Sequence, residues 1–349
     1  MQITHQHGTG DGRQNINLNN HIWILILARH DRKNPDARNF GLGSRDLAYA
    51  GRNALREGMR SHSSIATMAA RWDLFAQWAR SAGIRDMRKI DRGTLRAYSA
   101  HLKTRLHRRE ITPATAQNAL SAVNRVMEIA RGDRSVRLDP VQEAGLPTRS
   151  GIATINKAFT REQFFEDAMG ALPERLAAIL ALQWALGLRF EEAAKINAVK
   201  ALAQARRGSV RIEAGTKGGR ARDIPITNPL EQRLLIASAI EYQENGHSQI
   251  PAHQDYRTFR TEAYAVLRSA GIRSHSARHA YAQRRYEALV GAPSPVAAGV
   301  NHGPDHHHFL SVRLGIDIAA ARALDLQARE QVAAELGHGR IDVTNAYLG

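Results

Sequence analysis

The sequence predicts a mainly α-helical protein with one small β-hairpin, divided between a helical N-terminal domain and a mixed, mostly helical C-terminal domain. Three observations carry this reading. Apolar residues recur at helical spacings through residues 46–138. A single pair of alternating segments brackets a Gly-rich turn near residues 209–226. Between these regions, Asp139-Pro140, Gly145-Leu146-Pro147 and Ser150-Gly151 break the periodicity. With 349 residues, 43% of them apolar, the chain is long enough for two domains, each with its own core.

Residues 1–45, rich in Asn, Gly, His and Arg, show no sustained period and are expected to form a poorly ordered basic arm. In the domain 46–138, Ile65, Met68, Trp72, Phe75 and Trp78 follow steps of three and four, as a buried helix face requires, and read as core rather than as a base-stacking platform. A second helix is expected from Thr94 through Leu102. A third begins at Thr112 as N-cap with Pro113 next, and continues through Leu120, Val123 and Met127. The Pro/Gly-rich stretch 139–157 reads as a linker, and residues 158–349 as the second domain. There Thr160-Arg161-Glu162-Gln163 fits a capping box, and the apolar run Leu176 to Leu186 reads as a core helix closed by Gly187. Ser209–Glu213 and Arg222–Ile226 form the hairpin. Helices follow at Asn228-Pro229, at about Tyr256 to Leu267, near His275 and beyond Ile316.

Charge narrows the partner. Forty-nine Lys and Arg against 33 Asp and Glu give a formal charge of +16, which favours a polyanion, with nucleic acid foremost. The basic residues run through the whole chain, unlike a protein with a basic tail alone. The absence of cysteine excludes disulfides, thiol nucleophiles and cysteine-ligated metal. The longest apolar run, Ile22 to Ala28, is far short of the roughly 20 residues of a membrane span and lacks a cleavage site. A soluble, cytoplasmic protein is expected.

Taken singly, the candidate chemical groups are unremarkable in their context. Arg189 after Gly187-Leu188 reads as a charge complementing a helix C-terminus. Lys217, in Gly215-Thr216-Lys217-Gly218-Gly219, reads as a solvated hairpin tip. His275 and Arg278 share one helix face. His338 fits a cap, and Tyr347, nine residues on, fits a core aromatic. Together they suit the attack of a phenolic oxygen on a phosphodiester. Arg189 and Arg278 offer forked donors to the non-bridging oxygens, and His275 and His338 add hydrogen bonds. Tyrosine, with an ordinary pKa of ~10, needs a cationic pocket or a nearby base to become a nucleophile. Lys217 on its hairpin is the candidate general acid for the leaving 5′ oxygen. Side chains supply the positive charge, so no metal or cofactor is expected.

Gly187-Leu188-Arg189-Phe190-Glu191-Glu192-Ala193, the lysine hairpin, His275-x-x-Arg278-His279 and Leu336-Gly337-His338 followed by Tyr347 resemble, in order, the motifs of the tyrosine recombinases, or phage-type integrases. The resemblance covers about residues 46–349. It implies a helical core-binding domain and a mostly helical catalytic domain that form a C-shaped clamp on double-stranded DNA. It further implies a 3′-phosphotyrosyl intermediate, a homo-tetrameric synaptic complex that integrates or excises a mobile element, and an accessory directionality factor. A bacterial, nucleoid-associated protein is implied with them. By position, Arg189, Lys217, His275, Arg278, His338 and Tyr347 correspond to the family's catalytic residues. Glu192 matches an acidic position expected to orient side chains, and His279 is a supporting residue.

Two features depart from the family pattern. Fifty-nine residues separate Arg278 from His338, more than the family usually has, and the excess falls at about 291–316. With Pro293, Pro295, Gly303 and Pro304, this insert reads as a loop or small excursion, and its His302 and His306-His307-His308 as a solvated tract rather than a metal site. The sequence also ends at Gly349, where relatives often continue with a helix that docks on a neighbouring subunit; communication between subunits is therefore expected to use another contact. Two rival readings share these residues: an enzyme of the type IB topoisomerase kind, and a DNA-binding protein that keeps the fold without turnover.

Overall fold

A computed structural model describes residues 36–244 and 247–349. Most of the expected basic arm, including the run Ile22 to Ala28, lies outside the described residues. The chain forms two compact units that meet in sequence at Arg149 and Ser150. Among the described residues no helix is long and apolar enough to cross a membrane.

The first unit contains helices α1 (Leu47–Gly58), α2 (His62–Ser81), α3 (Arg92–His107) and α4 (Pro113–Arg131). Each begins at a residue whose side chain accepts from the third backbone N–H: Asp46, Ser61, Asp91 and Thr112. Trp72 and Phe75 are fully buried, and Ile65, Met68 and Trp78 pack at the margin of the same core. Helix α4 runs through its middle, with Leu120, Val123 and Met127 fully buried. The expected arm extends too far in one respect. Residues 36–45 belong to this unit, because Asn39 is buried and exchanges hydrogen bonds with Asp86 Oδ1 (2.9 Å) and the Met87 N–H (2.8 Å), while Leu42 enters the core.

The second unit is mostly helical around one two-stranded sheet. Thr160 and Gln163 form the reciprocal cap read from the sequence, and it opens a π-helical segment, Gln163–Ala168. Then come α5 (Glu174–Leu186), α6 (Phe190–Lys195), α7 (Ala198–Ala205), β1 (Ser209–Ile212) and β2 (Arg222–Pro225). Further on lie α8 (Pro229–Ala237), α9 (Tyr256–Ser269) and α10 (His275–Val290). The strands pair antiparallel, with Val210 opposite Ile224 and Ile212 opposite Arg222. Because opposed residues share a face, this register turns Arg222 inward beside the apolar residues, while Arg211 and Asp223 pair on the outside at 2.7 Å.

Of the two forms expected for the insert, a loop or a small excursion, the structure has the second. The insert contains α11 (Pro295–Ala298) and α12 (Pro304–Leu314), and Pro295 and Pro304 occupy first-turn positions, where the missing N–H costs no hydrogen bond. Helix α12 packs on α13 (Ile318–Leu336), and α11 packs on the terminal turn α14 (Asn345–Leu348). His306 is completely buried, and it faces Asp325 together with the half-buried His307. The tract was expected to be solvated; its helical spacing instead turns part of it into the protein.

Candidate active site

The site gathers where α5 ends, α10 begins and the chain leaves α13. Gly187 closes α5 at φ +61°, and an added Cβ would lie 2.4 Å from the Tyr281 ring, so both the turn and the close approach favour glycine. The turn exposes the Gly187 carbonyl to Arg278 Nη1 and sets Arg189 immediately before α6. Arg189 therefore does not end a helix, as its place after the apolar run suggested. It precedes one, and Glu192 in the first turn of α6 accepts from its backbone N–H (2.8 Å) and from Nη1 (2.7 Å).

Glu192 is the hub of the positive cluster. Its fully buried carboxylate also accepts from Arg222 Nη1 (2.9 Å) and Nη2 (2.7 Å) and lies 3.8 Å from Arg278 Nη1. Burial opposes its charge, but the Arg222 hydrogen bonds and the charges around it hold its pKa below the usual carboxylate range. Three guanidinium groups thus share one carboxylate, and the site keeps an excess of positive charge. Arg222 Nε also donates to the Glu335 carbonyl at 2.7 Å, which ties β2 to the end of α13.

Helix α10 supplies His275, Arg278 and His279 from its first turn. Arg278 is fully buried, and its N–H groups reach the carbonyls of Gly187 and Leu336 (2.6 Å), the Tyr347 hydroxyl (Nε, 3.3 Å) and His338 Nε2 (3.3 Å). Burial lowers its pKa to about 10, so it stays charged at neutral pH. Since arginine only donates, His338 Nε2 accepts, and its Nδ1–H donates to Thr344 Oγ1 at 2.9 Å. Gly337, at φ +66°, provides the turn that places His338 there, and an added Cβ would press on Arg222 at 3.0 Å.

Tyr347 is buried, with its ring against His279 at a centroid distance of 4.6 Å. Its hydroxyl accepts from Arg278 and lies 2.9 Å from His275 Nε2, so the phenol donates to a neutral His275. Burial and the charges of Arg278, Arg189 and Lys157 push His275 down to about 4. Burial, His275, Lys157 and Arg278 hold His279 at about 4. Burial and the arginines 278, 189 and 222 take His338 to about 3. All three imidazoles are neutral at pH 7.

The fold brings Arg189, Glu192, His275, Arg278, His279, His338 and Tyr347 into one cluster. Lys217 stays outside it, exposed in the turn Lys217–Gly219 between the strands. Sequence reasoning missed Arg222, Thr344 and Lys157. The alternation of β2 marks Arg222, since it shares the inward parity of Ile224; Thr344 and Lys157 carry no local signal.

An integrase family model matches residues 153–284. Among solved structures, the chain is similar to the Tn1549 transposon integrase in complex with a circular-intermediate DNA, with 11% identity over 88% of this chain and 95% of that one and a TM-score of 0.50. It is also similar to the XerH site-specific recombinase bound to palindromic difH substrate, with 15% identity over 87% and 80% of the two chains and a TM-score of 0.49. No curated protein sequence matches this chain.

Proposed function

For a chain whose segment 153–284 places it among the tyrosine recombinases of the integrase family, we propose a site-specific recombinase that cuts and rejoins duplex DNA through a covalent bond between Tyr347 and a 3′ phosphate. The observation that carries this reading is the position of the Tyr347 hydroxyl between His275 Nε2 and Arg278 Nε, inside a pocket of guanidinium groups. His275, neutral and 2.9 Å away, accepts the phenolic proton as the oxygen attacks phosphorus. The P–O bond to tyrosine forms, the P–O5′ bond breaks, and the 5′ oxygen leaves as a hydroxyl once Lys217 donates a proton. Lys217 is exposed on its hairpin, so this role requires the turn to fold towards the bound DNA.

Each of the three Arg278 nitrogens already has a protein acceptor, so an incoming phosphate oxygen replaces the Tyr347 hydroxyl and His338 Nε2 as partners of Nε and Nη2. Arg189, a quarter exposed at its side chain, reaches the same phosphate from the α6 side. Negative charge next to His338 then favours its protonated form, in which Nε2 becomes a donor. Glu192 and His279 hold the donors in place. The solved relatives include a transposon integrase on DNA, which supports double-stranded DNA as partner and a mobile element as context. A homo-tetramer in the synaptic complex and an accessory directionality factor complete the proposal.

A two-duplex exchange assay on DNA spanning the ends of the proposed mobile element tests it. A recombinase yields strands joined between two duplexes at one sequence. Relaxation of a single supercoiled circle without sequence preference would assign the chain to topoisomerase-like chemistry, and binding without any cleavage would make it a DNA-binding protein only.

A further inference from the structure

The insert 291–316 takes no part in the chemistry above, yet it leads by a short path to the nucleophile. Tyr347 sits in α14, a single turn too short to hold its own place. Both ends of that turn are held by one side chain. Arg329 Nη1 donates to Asn345 Oδ1 and to the Gly349 carbonyl, each at 2.9 Å. Arg329 is buried, and its Nε donates to Asp325 Oδ2, also at 2.9 Å. The insert surrounds the Asp325 carboxylate, with His306 Nδ1 at 3.6 Å and His307 Nε2 at 3.5 Å, while Tyr286 donates to it from α10. A second strut comes from the insert itself: His302 Nδ1 lies 2.9 Å from the Gly349 carbonyl and donates to it.

We infer that Arg329, aimed by Asp325 and seconded by His302 of the insert, is a positioning residue that locks the Tyr347 turn within its own subunit. The inference rests on the reading of Tyr347 as nucleophile. Arg329 touches neither the phenol nor the other residues assigned to the chemistry; it acts on the turn that carries Tyr347. The guanidinium group suits this, because Nη1 bridges the two acceptors four residues apart while the separate nitrogen Nε stays bonded to Asp325, whereas a lysine has one nitrogen for all three acceptors. Without the lock the hydroxyl loses its alignment with His275 and the phosphorus, and a misplacement of about 1 Å costs on the order of 100-fold in rate.

The test uses the full chain with Arg329→Gln, Arg329→Lys and, as the milder change on a half-buried side chain, His302→Ala. Two quantities are read: hydrogen exchange of the backbone amides of 345–349, and the single-turnover rate of covalent adduct formation at saturating DNA. Expected is faster exchange at 345–349 with the amides of α10 unchanged. The adduct rate falls on the order of 10- to 100-fold in Arg329→Gln and less in the other two, at unaltered DNA affinity. Unchanged exchange and unchanged rate in a folded Arg329→Gln or in His302→Ala would overturn the lock, as would a loss confined to DNA affinity. A wild-type chain that forms no adduct, while the variants show the exchange change, would keep the lock and overturn the nucleophile reading instead.

Discussion

Glu192 shows how much rests on one carboxylate. Its two oxygens hold Arg189 and Arg222 directly and face Arg278, so removal of its charge leaves buried guanidinium groups without their counter-ion. Breaking a buried pair in this way costs about 3–5 kcal/mol; Glu192→Gln is expected to lose stability on that scale in urea unfolding, and an unchanged midpoint would show that the arginines do not depend on it. Lys217 makes the opposite kind of prediction. Lys217→Ala should slow cleavage of ordinary DNA severely but spare a substrate with a 5′-bridging sulfur, whose leaving group needs no proton; equal losses on both substrates would remove the lysine from the proton path.

At the scale of elements, the turn from α5 into α6 determines where the arginines lie. Gly187→Ala places a methyl against the Tyr281 ring and a side chain at φ +61°, and should cost about 1–3 kcal/mol, seen as a lower Tm. Much of this architecture was legible in the sequence. The Thr112-Pro113 start of α4, the closure of α5 at Gly187 and the hairpin all come from local rules of capping, turn conformation and alternation, which one segment contains in full. What was not legible depends on partners distant in the chain. Arg189 is the exception: it looked like a helix end because the apolar helix stops just before it, although Glu192, only three residues on, caps the next helix through the Arg189 N–H. The alternation of β2 gives Arg222 its inward parity, but its acceptors sit in α6 and α13, so the strand alone does not reveal its role. The insert looked like a loop or small excursion because its prolines punctuate it, although Pro295 and Pro304 stand where a helix tolerates proline, and His306 is buried because Asp325 waits on another helix.

At the scale of the whole molecule, two properties follow from charge. The neutral histidines of the site bind protons more weakly in the folded chain than in the unfolded one, where the ordinary value is about 6.5. The unfolded state therefore takes up protons first as pH falls, so stability is complete above about pH 6.5 and declines towards the folded values of about 4, 4 and 3 for His275, His279 and His338. Urea midpoints measured from pH 7.5 to 4.5 should fall, and His279→Asn should flatten the slope; a midpoint that rises with acidity would contradict these assignments. The formal charge of +16 makes DNA binding a matter of counter-ion release, so affinity should drop steeply and linearly on a log–log plot against salt. A flat response would argue against an extended phosphate interface.

The proposed chemistry bonds the Tyr347 oxygen to DNA. Purified chain and its Tyr347→Phe variant would be incubated with duplex DNA from the ends of the proposed mobile element, nicked so that the released strand diffuses away, and the product would be denatured and digested. Expected is an SDS-resistant adduct in the wild-type chain alone, with the 3′ phosphate on the peptide that contains Tyr347, and undiminished DNA binding by the variant. An adduct that persists in Tyr347→Phe, or one that maps to another residue, would contradict this chemistry.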